Sequence, residues 1–337
     1  MHNFKTIYLS YLIIFLSISP TFNIPYYIPD TYLTPPIKLF GAIEAGGSKM
    51  ACAVVDIFGN IIEQKVIPTT TPKETISKIL EFFSPFELSS LGIGTFGPVD
   101  INPKSPTYGS ILNSVKLEWI GFNYIEAFKS LKIPIGIDTN VNTSCLGETA
   151  YGASRGFKNV IYVTIGTGIG IGIIAEGRLL HGMMHPEGGH ILLIKQKDDK
   201  GESVCPYHAN CFEGLASGPS IKKRYGKSGS ELIHDEKVWD LEAEYISQAL
   251  VNYIMILQPE IIVLGGGVIN HHHHIFPLIR QKVAQKMNNY VKTKRMENLD
   301  EFIVPSYLGD QLGILGSFKI GLDKFYEEER KANRLKL

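Results

Sequence analysis

The 337-residue sequence predicts an α/β protein of two similar halves facing each other across a cleft. Three observations carry this. The length suits two domains of ordinary size. A strand, a glycine-rich turn and a second strand occur at about 42–55 and again at about 160–174, a weak internal duplication. After each repeat, strand patterns give way to helical ones.

The elements follow in order. Phe40-Gly-Ala-Ile-Glu-Ala45 reads as a strand running into Gly46-Gly47-Ser48. Met50 to Asp56 is a second strand, Phe58-Gly-Asn60 a turn, and Ile61 to Ile67 a third strand. Thr71-Pro-Lys-Glu74 starts a helix, with Thr as N-cap and Pro at the first helical position. Leu91 to Pro98 is a strand ending in a Gly-Pro turn, and Ile133 to Asp138 is another strand. A helix of small residues spans Asn142 to Tyr151, with Asn140 or Asn142 as its cap. In the second half, Val160 to Ile165 and Ile169 to Ile174 are strands around Gly166-Thr-Gly168. Trp239 to Leu257 has apolar residues at helical spacing and stops before Pro259. Ile261 to Leu264 is a buried strand opening into Gly265-Gly266-Gly267. Ile275 to Tyr290 and Gln311 to Phe325 are helices. The expected division is a leader at 1–37, an N-terminal domain at 38–150, a C-terminal domain at 151–309, and a closing helix at 310–325 that packs back on the first domain.

Composition excludes several classes. Lys plus Arg and Asp plus Glu each number 33, so the formal net charge is zero. A nucleic-acid binder needs a basic surplus to displace counterions. An apolar fraction of 44% supports a sizeable core and excludes wholesale disorder. Four cysteines (Cys52, Cys145, Cys205 and Cys211) are too few for a disulfide scaffold and point to a reduced, cytoplasmic protein. The apolar run Ile7 to Ile18 is too short for a comfortable membrane span. With Lys5 ahead of it, it is either a signal-like segment or the product of a start placed too far upstream.

Six motifs carry chemistry. Glu44-Ala-Gly-Gly-Ser-Lys49 and Thr164-Ile-Gly-Thr-Gly-Ile-Gly170 are glycine turns whose amides and hydroxyls suit a phosphate. The order of Ser48 and Lys49 is not that of a P-loop. Leu264 to Ile269 is a strand end where a nucleoside can lie on backbone. His190 with Cys205, His208 and Cys211 makes an S2N2 set that suits a closed, structural tetrahedral zinc. The run His271 to His274 reads as a solvated loop. Pro186-Glu-Gly-Gly-His190, with Glu213, offers polar groups for sugar hydroxyls. Asp138-Thr-Asn140-Val-Asn142 sits at a strand's carboxyl end, where catalytic groups are well placed.

From about 38 to 322 the chain resembles the ROK family of sugar kinases, and within it the zinc-containing fructokinase branch. The residues that carry the likeness are Glu44 to Met50, Gly94-Thr-Phe-Gly-Pro98, Thr164 to Gly168, His185 to His190, Cys205 to Glu213, Ala216 to Pro219 and Gly265 to Ile269. The resemblance implies a two-domain actin-like ATPase fold, hexokinase-like with ribonuclease H-like halves, carrying an inserted zinc-binding loop. It implies ATP-dependent phosphorylation of a hexose with Mg²⁺, D-fructose to D-fructose 6-phosphate first, mannose or glucose as alternatives. On this reading Gly46, Gly47, Ser48, Lys49, Thr167, Gly168, Pro219, Gly265, Gly266, Gly267, Val268 and Ile269 meet ATP. Sugar lies among Gly97, Pro98, Asn113, Asn140, Glu187 and His190, with His190 also on zinc. No nucleic acid or membrane partner is implied, and a homodimer is left open. The family's repressors carry a basic N-terminal recognition helix, which the apolar, Pro-rich leader cannot form.

One position departs. Counted back from Leu146-Gly-Glu148, the family's catalytic aspartate falls on Asn140. An amide cannot take the proton of the attacking hydroxyl, and loss of a general base costs about 10²–10⁴-fold. Asp138 lies on the same strand face. Three outcomes follow: a kinase that uses Asp138, a slowed kinase, or a sugar-binding protein without turnover.

Overall fold

A computed structural model describes residues 37–114 and 116–334. Apart from Ile37, the expected leader lies outside the described residues. β1 (Leu39–Ala45), β2 (Lys49–Asp56) and β3 (Ile61–Pro68) form an antiparallel meander. They are followed by α1 (Pro72–Phe83), β4 (Leu88–Thr95), α2 (Tyr124–Phe128), β5 (Ile135–Thr139) and α3 (Asn140–Tyr151). β4 and β5 join parallel to β1, giving the order β3-β2-β1-β4-β5.

The second sheet repeats this plan. β6 (Val160–Ile165), β7 (Ile169–Ala175) and β8 (Arg178–Leu179) are antiparallel neighbours. Next come α4 (Phe212–Ala216), α5 (Gly218–Tyr225), α6 (Glu236–Leu257), β9 (Ile261–Gly265), α7 (Gly267–Asn270) and α8 (Phe276–Met287). The chain closes with α9 (Lys294–Glu297), α10 (Leu299–Phe302), β10 (Ile303–Pro305) and α11 (Leu312–Arg334). β9 and β10 add parallel to β6, giving the order β10-β9-β6-β7-β8. The duplication read at the two glycine turns therefore extends to all five strands of each sheet.

Strand alternation sorts the core. In β2, Met50, Cys52 and Val54 face a cluster with Ile76, Ile79, Phe82 and Phe83 of α1. Ala51, Ala53 and Val55 face Ile314 and Phe318 of α11. Burying each large apolar side chain contributes about 1.5–3 kcal/mol. α11 lies so close to the sheet that a Cβ on Gly92 would fall 1.7 Å from the Ser317 carbonyl oxygen. In the second half, Ile161, Val163, Ile262 and Leu264 face α6 and α8, while Val160, Tyr162, Ile261 and Val263 join a cluster with Cys145 of α3. Thus α3 sits between the sheets, and its N-terminus extends β5 directly into the space between the halves.

Four expectations are corrected. The cap of α3 is Thr139, whose hydroxyl accepts from the Asn142 amide, so the helix starts at Asn140 rather than Asn142. The last helix runs to Arg334, past Phe325. Residues 267–270 are a short helix, and Ile269 is fully buried in the second core, so it offers a nucleotide no exposed surface. His272 is not solvated: it is buried, stacks on Trp239 and pairs its Nδ1 with the Val268 carbonyl. Among the described residues no helix is long and apolar enough to cross a membrane.

Candidate active site

The first glycine hairpin joins β1 to β2. The Gly46 amide donates to the Lys49 carbonyl, and Thr69, just past β3, donates its hydroxyl to the Gly46 carbonyl at 2.8 Å. Ser48 and Lys49 are exposed. Glu44 stands at the end of β1, where Gly313 of α11 leaves room for its carboxylate. Burial lifts its pKa above the usual carboxylate range, against the pull of Lys49.

The second hairpin joins β6 to β7 and leaves Thr167 exposed. It is braced from outside its own strands. Glu213 of α4 accepts from the Ile169 amide at 2.9 Å, and its Oε2 fills the space a Gly168 side chain would take. Gly218 donates to the Gly166 carbonyl at 2.8 Å, which brings exposed Pro219 beside the turn. Gly266, at φ +88°, could not carry a Cβ because the Ile165 backbone lies 2.5 Å away. The 265–267 glycines therefore cross the base of this hairpin.

α4 is held in turn by a cysteine–histidine cluster. Cys211 is its N-cap. Cys205 Sγ lies 3.5 Å from His208 Nδ1 and 3.8 Å from His190 Nδ1, and Cys211 Sγ lies 3.7 Å from His190 Nδ1. The four donor atoms all fall within 4.8 Å of one another. Sulfur at about 2.3 Å and nitrogen at about 2.0–2.1 Å from one tetrahedral ion stand about 3.6 Å apart, so the donors fit a metal of zinc's size. Cross-bonds from Leu193 to Asn210 and from Phe212 to Ile191 strap the segment to the His190 turn.

Between the halves lies Asp138, at the carboxyl end of β5 opposite Gly94 of β4. Its side chain is 1% exposed. Oδ1 accepts from the Thr139 amide and the Asn142 side chain, both at 2.7 Å, and Oδ2 meets His181 Nε2 at 2.7 Å. The Asp138 hydrogen bond raises the His181 pKa above the usual imidazole value, with burial acting against it. Asn140 is half-buried in the first turn of α3, and its side chain makes no hydrogen bond among the described residues.

A second bridge spans the halves at Gly97–Pro98. The buried His185 accepts from the Val99 amide through Nε2 at 3.3 Å, and its Nδ1 faces Glu187 Oε1 at 3.2 Å. An accepting Nε2 places the proton on Nδ1, the atom that faces Glu187. Pro98 also accepts from the Leu112 amide, which puts exposed Asn113 on the same side. Gly97, Pro98, Asn113 and Glu187 are thus gathered around one bridge. His190 belongs to the metal-suited cluster three residues on from Glu187.

Residues 40–324 match the ROK family. The chain belongs to the ROK family. A relative from Bacillus subtilis (strain 168) is 46% identical over 281 residues, 83% of this chain and 94% of its own length. The fructokinase of Pediococcus pentosaceus is 41% identical over 279 residues, 82% of this chain and 96% of that protein. In fold, the chain is similar to the ROK hexokinase from Thermus thermophilus, with TM-score 0.72 and 22% identity, covering 86% of this chain and 99% of that one.

Within this ROK chain, sequence reading missed three groups. His181 pairs with Asp138 from 43 residues away, and no spacing announces it. His185 was seen only as part of a motif, not as a bridge to Val99. Glu148, fully buried, accepts from Ser306, Tyr307, Leu308 and Ala153, tying α3 to the segment before α11.

Proposed function

We propose that the chain is a fructokinase, which transfers the γ-phosphoryl group of ATP to D-fructose and gives D-fructose 6-phosphate. The observation that carries this is the 41% identity to a fructokinase over 82% of this chain and 96% of that protein. The two glycine hairpins grip the phosphates from opposite halves, with Gly46, Gly47, Ser48 and Lys49 on one side and Thr167 and Gly168 on the other. Gly265 to Val268 and Pro219 flank the nucleoside. Fructose lies among Gly97, Pro98, Asn113, Asn140, Glu187 and His190. Closing the halves excludes water, which would otherwise compete as phosphoryl acceptor.

Mg²⁺ carried with ATP neutralises phosphate charge, and Glu44 is the carboxylate beside the first hairpin suited to it. Zinc suits His190, Cys205, His208 and Cys211, where four protein ligands leave no open position, so its contribution is structural. Asp138, buried two residues before Asn140, is a carboxylate at the end of β5 that is paired with His181. The zero net charge fits a protein that meets anionic ATP through amides and a cation. Four cysteines without a disulfide among them fit action in the reducing cytoplasm.

The test is an ADP-release assay with fructose, mannose and glucose. Fructose is expected to give the highest kcat/KM. Sugars that raise thermal stability without ADP release would instead mark a sugar-binding protein.

A further inference from the structure

Asp138 is well placed and poorly reachable. Its side chain is 1% exposed, and its two oxygens already accept from the Thr139 amide, the Asn142 side chain and His181. A sugar hydroxyl has no open approach to it, and Asn140 has no proton-accepting group to offer. His181 is different. It sits just after β8, its side chain is 40% exposed, and it reaches across from the second half to the first. The ionised carboxylate fixes the proton on Nε2, which leaves Nδ1 as a free lone pair with no partner among the described residues.

We propose that His181 is the catalytic base of the phosphoryl transfer, with Asp138 as its positioning residue. The inference rests on the kinase reading above. As the attacking hydroxyl gives its proton to Nδ1, its oxygen bonds to the γ-phosphorus. The bond from that phosphorus to the β,γ-bridging oxygen breaks, and ADP leaves. The imidazolium so formed is stabilised by Asp138, in the manner of a carboxylate that orients a histidine base. The hydrogen bond that the ring donates to Asp138 also makes it more basic than an ordinary histidine. Asp138, on β5, is the ionised group bonded to the ring. Thr139 and Asn142, from the start of α3, are neutral. Tyr108, the other titratable side chain that senses Asp138, is kept protonated by burial.

The test compares wild type with His181→Gln, following kcat at saturating fructose and ATP between pH 5 and 9. Wild-type kcat is expected to fall about tenfold per pH unit below an apparent pKa above the ordinary imidazole value of about 6.5. His181→Gln is expected to lose about 10²–10⁴-fold in kcat and to lose the acid limb, with fructose KM changed less than about threefold. Added imidazole should restore turnover to His181→Gly, which a purely structural role would not allow. A wild-type profile flat from pH 5 to 8 overturns the proposal without any variant. So does a His181→Gln enzyme within about threefold of wild type. Wild-type protein that phosphorylates no hexose sinks the kinase reading itself, a different failure from an active enzyme indifferent to His181.

Discussion

At Gly46–Ser48 the turn is held by its own sheet: Lys49 closes it and Thr69 steadies it from the end of β3. The Gly166–Gly168 turn also closes on itself, Gly166 donating to the Gly168 carbonyl, but further support comes from elsewhere. Glu213 and Gly218 hold it, and both belong to the segment that begins at the cysteine–histidine cluster. Two turns of similar sequence and equivalent place in a duplicated fold thus depend on different things. The first is as stable as its strands. The second leans also on the 190–218 segment, so whatever orders that segment also steadies half of the proposed phosphate grip.

The strongest way to break this contrast is to remove one of the four proposed zinc ligands. Structural zinc is worth about 10–16 kcal/mol in small zinc-binding peptides, and a large folded domain retains part of its order without it. Cys205→Ser is expected to abolish stoichiometric zinc and cost several kcal/mol in the second half. Hydrogen exchange reads the asymmetry: the Ile169 and Gly218 amides should exchange faster, while Gly46 and Phe96 stay protected. Equal acceleration at both hairpins would show that the cluster stabilises the molecule generally and not the second turn.

The second half also carries a charge problem that the first half's core lacks. Glu242 is fully buried on α6, its two oxygens have no hydrogen-bond partner among the described residues, and Arg224 Nη1 stands 3.5 Å away. Burial pushes its pKa from 4.5 up to about 8, against the pull of Arg224. The folded chain therefore holds a proton that the unfolded chain releases near pH 4.5. Stability from this group is fully present below about pH 4.5 and is lost as pH rises to about 8, on the order of a few kcal/mol over the window. Arg224 also binds Asp199 and the Leu215 carbonyl, so the loss falls on the segment that braces the second hairpin. Glu242→Gln should flatten the decline in denaturation free energy between pH 5 and 8. An unchanged slope would place the titration elsewhere.

Glu213→Ala acts more locally. It leaves the Ile169 amide without its acceptor and opens the space beside Gly168, a loss of about 1–3 kcal/mol. Calorimetry is expected to show weaker ATP binding with fructose binding unchanged. Weakening of both would mean that Glu213 holds the cleft as a whole.

Much of this fold was legible because its signals are local. Val160 to Ile165 is apolar enough to be a buried strand, and Thr71-Pro-Lys-Glu74 spells a helix start that the structure repeats, with Thr71 as N-cap. What failed was non-local or degenerate. Thr139 and Asn140 are both good caps, and the choice between them is made by where β5 ends. Tyr326 to Arg334 has no apolar stripe. Its helix is supported by ion pairs from Lys324 and Lys331 to Glu327 and Glu328, a pattern that reads equally well as a solvated tail. Four consecutive histidines are identical in sequence, and only burial with a bond to the Val268 carbonyl sets His272 apart. The candidate site was legible in its glycines and its Cys–His spacing. The Asp138–His181 pair was not, since its partners meet only when the halves are assembled.

The mildest test separates glycines that the turn needs from glycines that a ligand needs. A Cβ at Gly46 would lie 2.7 Å from the Lys49 carbonyl oxygen, so that glycine serves the hairpin itself. A Cβ at Gly47 meets only Lys116 Cε, at 3.8 Å, an ordinary contact. Gly47→Ala should therefore fold normally, and the reduced freedom of the unfolded chain should raise stability by up to about 0.4–1 kcal/mol. If the first hairpin grips phosphate through close approach of its backbone, the same methyl should raise the KM for ATP several-fold and leave the KM for fructose unchanged. Unaltered ATP kinetics in the variant would mean that phosphate is held by the second hairpin alone, and the dependence on the 190–218 segment would then extend to the whole grip.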